Sequence, residues 1–179
     1  HVSAVALLVV LSLSGIAPAQ VLVQSTFNAD TQGWTAFSVT TGICEATLGT
    51  RTNRAVTWIA TGGSTGGFLR HAEFNGTSFF RASALFRGNQ SAAYGGSISC
   101  EQRWTTTDNR VYYALDDMII LGGGITLYAD THIPSRDAWG QTRIPLLPGY
   151  WKVGSCNGPV ASEALIRAAL ADVTDILIR

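Results

Sequence analysis

Charge is scarce in this chain. Asp, Glu, Lys and Arg make up 13% of the 179 residues, against about 25% in ordinary soluble domains. Twelve basic side chains balance twelve acidic ones, so the net charge is zero. Such a chain offers no basic face to a phosphate backbone and no polybasic patch to an anionic bilayer, which excludes nucleic acid and electrostatic membrane docking. Histidine is rarer still. Of three, His1 falls in the opening segment, and His71 and His132 alone make no zinc pattern. No period of 20 to 50 residues repeats and no low-complexity linker divides the chain, so neither a solenoid nor a two-domain arrangement is expected. The surface of such a protein must be built from Ser, Thr, Asn, Gln and Gly.

The one long apolar run, residues 5–16, is shorter than the roughly 20 residues needed to span a bilayer. It is followed by Ala17-Pro18-Ala19, a small-x-small cleavage site. Residues 1–19 are therefore expected to be a signal peptide cut after Ala19, with secretion as its consequence and no membrane insertion afterwards. The chain opens on His1, and the initiator methionine with a basic start is expected upstream. Cleavage leaves 160 residues, 20–179, a comfortable size for one domain around one core.

Cysteine is sparse and odd in number: Cys44, Cys100 and Cys156. In an oxidising compartment this leaves either one pair with one free thiol or a partner outside the sequence. Spacing does not decide the pair; Cys44 with Cys156 is the expectation. Cys100 reads as a small buried hydrophobe, because it lies on the apolar face of a strand.

That strand is the clearest element in the chain. Ile98, Cys100, Gln102 and Trp104 share one face while Ser99, Glu101 and Arg103 share the other, the period of a half-buried strand. Further β-like runs are expected at 21–27, from Trp34, and at 55–60, 68–74, 79–86, 118–121, 125–129 and 141–146, punctuated by Gly, Asn, Ser and Pro. Regular short strands with turn signals predict an antiparallel sandwich. One helix is expected, from Glu163 to about Asp172, capped by Ser162 and with Leu165, Ile166, Ala169, Leu170 and Val173 on one side. A short buried strand, 176–178, follows it.

A group of motifs resembles the laminin IV type A (laminin B) domain family. Gly88-Asn89-Gln90-Ser91 running into Ser91-Ala92-Ala93-Tyr94-Gly95-Gly96 and a strand is similar to its loop, and Phe79-Phe80 with Phe86-Arg87-Gly88 to its approach. The stretch from Asp117 to Leu127 through Gly122-Gly123-Gly124 resembles its hairpin, and 165–179 its short helix and final "LLIR" strand. The resemblance covers roughly residues 25–179. It implies an all-β antiparallel jelly-roll sandwich of the galactose-binding-like kind with one short C-terminal helix. The family pattern continues into a last strand with a Gly-x-Asp-Asn signature that is missing here, so the sequence reads as truncated at its C-terminus. It also implies a non-catalytic extracellular matrix or adhesion-type module, with an extracellular protein or glycan as partner.

Chemical motifs weigh little against that reading. Gly62-Gly63-Ser64-Thr65-Gly66 matches the G-x-S-x-G elbow, but the residues after it read as strand where an elbow needs a helix. An esterase would need His71 and Asp30 or Asp130 beside Ser64, and no pattern joins them. Gly122-Gly123-Gly124 lacks phosphate-loop spacing and reads as a turn. Asn28 and Asp30 offer hard oxygens at alternate positions, with Asp116 and Asp117 further along, so a structural calcium is a candidate; Asx residues in turns more often bond their own backbone. Apart from that calcium no cofactor is expected. Aromatic side chains support the alternative function, a carbohydrate-binding module attached to or serving a glycosidase. Tyr112-Tyr113 and Tyr150-Trp151 place neighbours on opposite faces, which makes Tyr113 and Tyr150 the ligand-contact candidates. Asn75-Gly76-Thr77 and Asn89-Gln90-Ser91 fit the N-glycosylation pattern.

Overall fold

The computed structural model describes residues 2–5, 9–12, 21–39, 50–72, 77–105, 117–130 and 136–179, the first two segments as backbone strands. Cys44, Asn75, Tyr112, Tyr113, Asp116 and His132 lie outside the described residues. In chain order the strands are β1 (Val2–Val5), β2 (Val9–Ser12), β3 (Val21–Ser25), β4 (Thr35–Val39), β5 (Arg51–Arg54), β6 (Thr57–Ile59) and β7 (Phe68–Ala72). Next come β8 (Thr77–Arg81), β9 (Ser97–Thr105), β10 (Met118–Gly122), β11 (Ile125–Ala129), β12 (Gly140–Pro145) and β13 (Lys152–Val153). Helix α1 (Glu163–Ala171) and β14 (Val173–Ile178) close the chain.

Two seven-stranded antiparallel sheets result, with one short helix, as the strand spacing predicts. The first runs β3-β2-β9-β1-β7-β6, with β12 on the other edge of β9. The second runs β13-β11-β10-β14-β8-β4-β5. The segment read as a signal peptide contributes β1 and β2, both set against β9.

The core follows from alternation along the strands. Leu69, Ile98 and Cys100 of the first sheet meet Ala36, Phe80, Ile120 and Ile176 of the second in one buried cluster. A buried phenylalanine such as Phe80, with no exposed surface, contributes about 1.5–3 kcal/mol by leaving water. The second sheet is unusual in burying its other face too, where Phe37, Phe79, Ile119, Tyr128 and Leu177 form a second cluster. Its central strands therefore read as continuous apolar runs, Met-Ile-Ile-Leu in β10 and Ile-Leu-Ile in β14.

Two features tie the sheets to the helix. Gly123 (φ 55°) and Gly124 (φ 73°) form the two-residue turn between β10 and β11, and a turn with positive φ at both central positions is the kind that matches strand twist. Just before it, a Cβ on Gly122 would run into the carbonyl of Ala169 in α1, so the helix rests directly on the strand backbone. α1 is capped by Ser162, whose Oγ accepts from the Leu165 amide at 3.4 Å, and buries Ile166, Ala169 and Leu170. The loop at 88–96 is bolted to this corner by backbone bonds. Gly88 exchanges N–H and C=O with Val173 at 2.8 and 2.9 Å, the Gln90 amide donates to Leu170, and Gly95 and Gly96 bond Leu146. Its role is architectural.

Two expected runs change shape. The run at 79–86 is strand only through Arg81; Ala82 still donates to the Ile176 carbonyl, and residues 84–86 then wind into a 3-10 turn that buries Phe86. Trp104 ends β9 half-buried rather than in the core. At one edge of the second sheet, β5 forms from Arg-Thr-Asn-Arg, which carries no apolar residue and, among the described strands, pairs with β4 alone, as suits an exposed edge strand.

Candidate functional site

Ser64 sits exposed in the loop joining β6 to β7, two strands that pair antiparallel. Strand and strand, not strand and helix, flank it. His71 is turned the other way, 3% exposed, with its ring against Phe80 at 4.5 Å between centroids and Nδ1 3.3 Å from the Ala72 carbonyl. Burial lowers its pKa, and the Arg54 charge pushes in the same direction, so the neutral imidazole is favoured. Asp30 and Asp130 are both exposed. Among the described residues no hydrogen bond connects Ser64, His71 and either carboxylate.

The Asn28–Asp30 turn spends its oxygens locally. Asp30 Oδ1 accepts the Gln32 amide at 2.6 Å, and Gln32 Oε1 in turn accepts the Thr26 amide at 3.1 Å. Asn28 is exposed beside Gly66, where an added Cβ would come within 2.9 Å of its Oδ1. Asp117 is buried at the start of β10. Among the described residues no three His, Cys, Asp or Glu side chains gather as a metal site would require.

Most of the large aromatic rings are committed to architecture. Trp34 is buried edge-on to Phe27 and Phe86 and donates to Ser25 Oγ at 2.9 Å. Trp58 donates to the Phe27 carbonyl at 2.7 Å, Trp139 to Gly62 at 3.0 Å and Trp151 to Pro145 at 2.8 Å. Tyr94 carries the Arg167 guanidinium 3.6 Å above its ring. Tyr150 differs: it is 54% exposed while its neighbour Trp151 is completely buried. The Leu147-Pro148-Gly149-Tyr150 turn lifts it there, since Gly149 at φ 96° follows a proline, the arrangement of a type II turn.

Beside Tyr150 lies a cleft of about 480 Å³, lined also by Tyr128, Asp130, Lys152, Cys156 and Asn157. β11 supplies Tyr128 and β13 supplies Lys152, adjacent across the ladder in a direct register pair. Cys156 is disulfide-bonded, and Cys100 is a free cysteine. An aromatic face next to a carboxylate, an ammonium and an amide can stack on a sugar ring and bond its hydroxyls. The polar members of this wall were not legible as a group. Only the Tyr150-Trp151 doublet and the Pro-Gly turn signalled it.

A second polar cluster stands on the outer side of the same sheet. Asp175, 6% exposed, takes a two-pronged bond from Arg81, Nε to Oδ1 at 2.5 Å and Nη2 to Oδ2 at 3.1 Å. Arg51 and Arg87 stand 3.6 Å from its two oxygens. Three guanidinium groups around one buried carboxylate satisfy it fully, and Arg87 also caps the Ala82 carbonyl at 3.1 Å. Asn89 is exposed, with Oδ1 accepting the Ser91 amide at 3.0 Å.

The family model "Laminin B (Domain IV)" matches residues 79–179, more than half of the chain. Among solved structures, the L4b domain of human laminin alpha-2 is similar with a TM-score of 0.51 at 17% identity, over 57% of this chain and 60% of that one. The likeness thus spans three fifths of that domain's length and concerns the fold. A comparison with curated protein sequences gives no match.

Proposed function

Because the chain belongs to the laminin B (domain IV) family, we propose that it is a non-catalytic extracellular matrix or adhesion-type module, secreted after cleavage behind Ala19, whose partner is an extracellular protein or glycan. The family match is the observation that carries this reading. The oxidised Cys156 supports it, since disulfides persist in oxidising compartments. Secretion of the full sequence from a eukaryotic or Gram-negative host, followed by solid-phase binding to purified matrix glycoproteins, tests it. The expected product starts at Gln20 and is retained on at least one such surface; retention on none overturns the reading. Ester hydrolysis that disappears in Ser64→Ala would overturn the non-catalytic part.

The cleft at Tyr150 favours a second reading, a carbohydrate-binding module serving a glycosidase. Its exposed ring beside Asp130, Lys152 and Asn157 is the geometry that reading needs. On a glycan array, Tyr150→Ala is expected to lower binding about tenfold, the loss of one stacked ring. Equal signals from both proteins dismiss it.

A further inference from the structure

β1 and β2 hold the first sheet together. β1 pairs with β7 on one side and β9 on the other, and β2 pairs with β3 and β9. No other described pairing links β9 and β12 to β3, or to β6 and β7. Without residues 2–12 the sheet falls into three pieces separated by one strand's width, about 10 Å from backbone to backbone given the usual spacing of neighbouring strands. Both banks of that gap are strand edges, β9 on one side and β3 with β7 on the other. Leu69 and Ile98, which line it towards the core, are fully buried with the strands in place.

We propose that this gap is an acceptor groove for an extended strand donated by another polypeptide, uncharged, apolar at alternate positions and antiparallel to β9. The inference rests on the secreted reading above, in which residues 1–19 are removed and the edges are left with unpaired N–H and C=O groups. The occupant's chemistry is set by what the groove holds: Val-Ser-Ala-Val and Val-Val-Leu-Ser, two strands without a charge, each antiparallel to both banks. Those strands fit in two pieces. Ala4 pairs with Arg103 and Val10 with Ser99, so the register advances six positions along the insert for four along β9. A continuous nine-residue strand would match Ser97–Thr105 without that step. Backbone pairing gives such a groove its affinity, and the alternate positions facing Leu69 and Ile98 give it selectivity.

The test uses the secreted protein as it leaves the cell. Mass spectrometry of its N-terminus judges the leader reading by itself, and hydrogen exchange judges the groove. In a product beginning at Gln20, alternate β9 amides, those pointing away from β12, are expected to exchange about tenfold or more faster than their neighbours. A synthetic peptide with the sequence of residues 1–12 should restore their protection, and the same peptide with Val5→Lys and Leu11→Lys should not, since those positions register with Leu69 and Ile98. Equal protection of both sets without peptide overturns the groove, with size-exclusion chromatography showing whether a second copy or the protein's own β3 has closed it. Equal action of the two peptides overturns the selectivity and with it the proposed occupant. A secreted product that retains residues 1–19 overturns both readings.

Discussion

The two sheets of this domain are held in different ways. The second joins its seven strands in one unbroken path from β13 to β5, with both faces of its central strands buried. Among the described residues, the first is joined through two strands that precede residue 13. The family match divides along the same line: residues 79–179 supply β10, β11, β13, β14 and most of β8 to the second sheet, but only β9 and β12 to the first. The recognisable half of the sequence is thus the half that builds most of the continuously paired layer. Burial adds to the difference in pairing, because a strand covered on both faces cannot open without exposing two apolar surfaces.

Truncating the two layers measures the difference most directly. Leu177→Ala, on the outer face of β14, is expected to cost about 3–5 kcal/mol in urea unfolding, and Leu69→Ala in β7 about 2–3, the lower part of the range for a buried leucine. Equal losses would remove the contrast between the layers. Asp175→Asn should cost about 3 kcal/mol, the low end for a broken buried ion pair, because Arg81 is 36% exposed and solvent screens it. A change under about 1 kcal/mol would mark the cluster as an ordinary surface pair.

Smaller effects sharpen the comparison at single positions. Gly122→Ala must push α1 off the second sheet and is expected to lose about 1–3 kcal/mol, whereas Gly88→Ala, at φ 76° with open space around it, pays only backbone strain of about 1 kcal/mol. Thermal melts that rank Gly88→Ala as the worse of the two would contradict the helix contact. The first sheet should also carry a pH dependence through His71. Its folded pKa lies below 6.5, so the unfolded chain binds the proton more readily. Stability from this group is therefore level above about pH 6.5 and declines as the pH falls below it. Urea midpoints at pH 7.5 and 5.5 should differ in the wild type and draw together in His71→Phe; an unchanged difference assigns the slope to other groups.

Much of the fold was legible because its signals are local. Alternation from Ile98 to Trp104 gave β9, the triple glycine gave the turn after β10, and Ser162 with the apolar stripe of Ile166, Ala169 and Leu170 gave α1. What lacked a local signal escaped. β5 has no apolar residue and exists because β4 offers an edge; β13 is two residues long; the apolar run at 79–86 bends after Arg81 because Ser83 and Phe86 close a tight turn there. The Asp175 cluster joins Arg51, Arg81 and Arg87 to a residue up to 124 positions away, a meeting no spacing predicts. In the cleft, Tyr150 could be singled out from its pairing with Trp151, but Asp130, Lys152 and Asn157 come from three separate segments.

Cys100 turns the interior into its own clock. Its thiol is buried at the centre of β9, free, and held far above its ordinary pKa by burial, with Asp117 and Glu101 adding to the effect. In that state it does not form the thiolate that attacks disulfides or takes up alkylating reagents, so the bond at Cys156 is safe from scrambling while the gap beside β9 is filled and the domain stays shut. Each modified Cys100 records one occasion on which the layers parted.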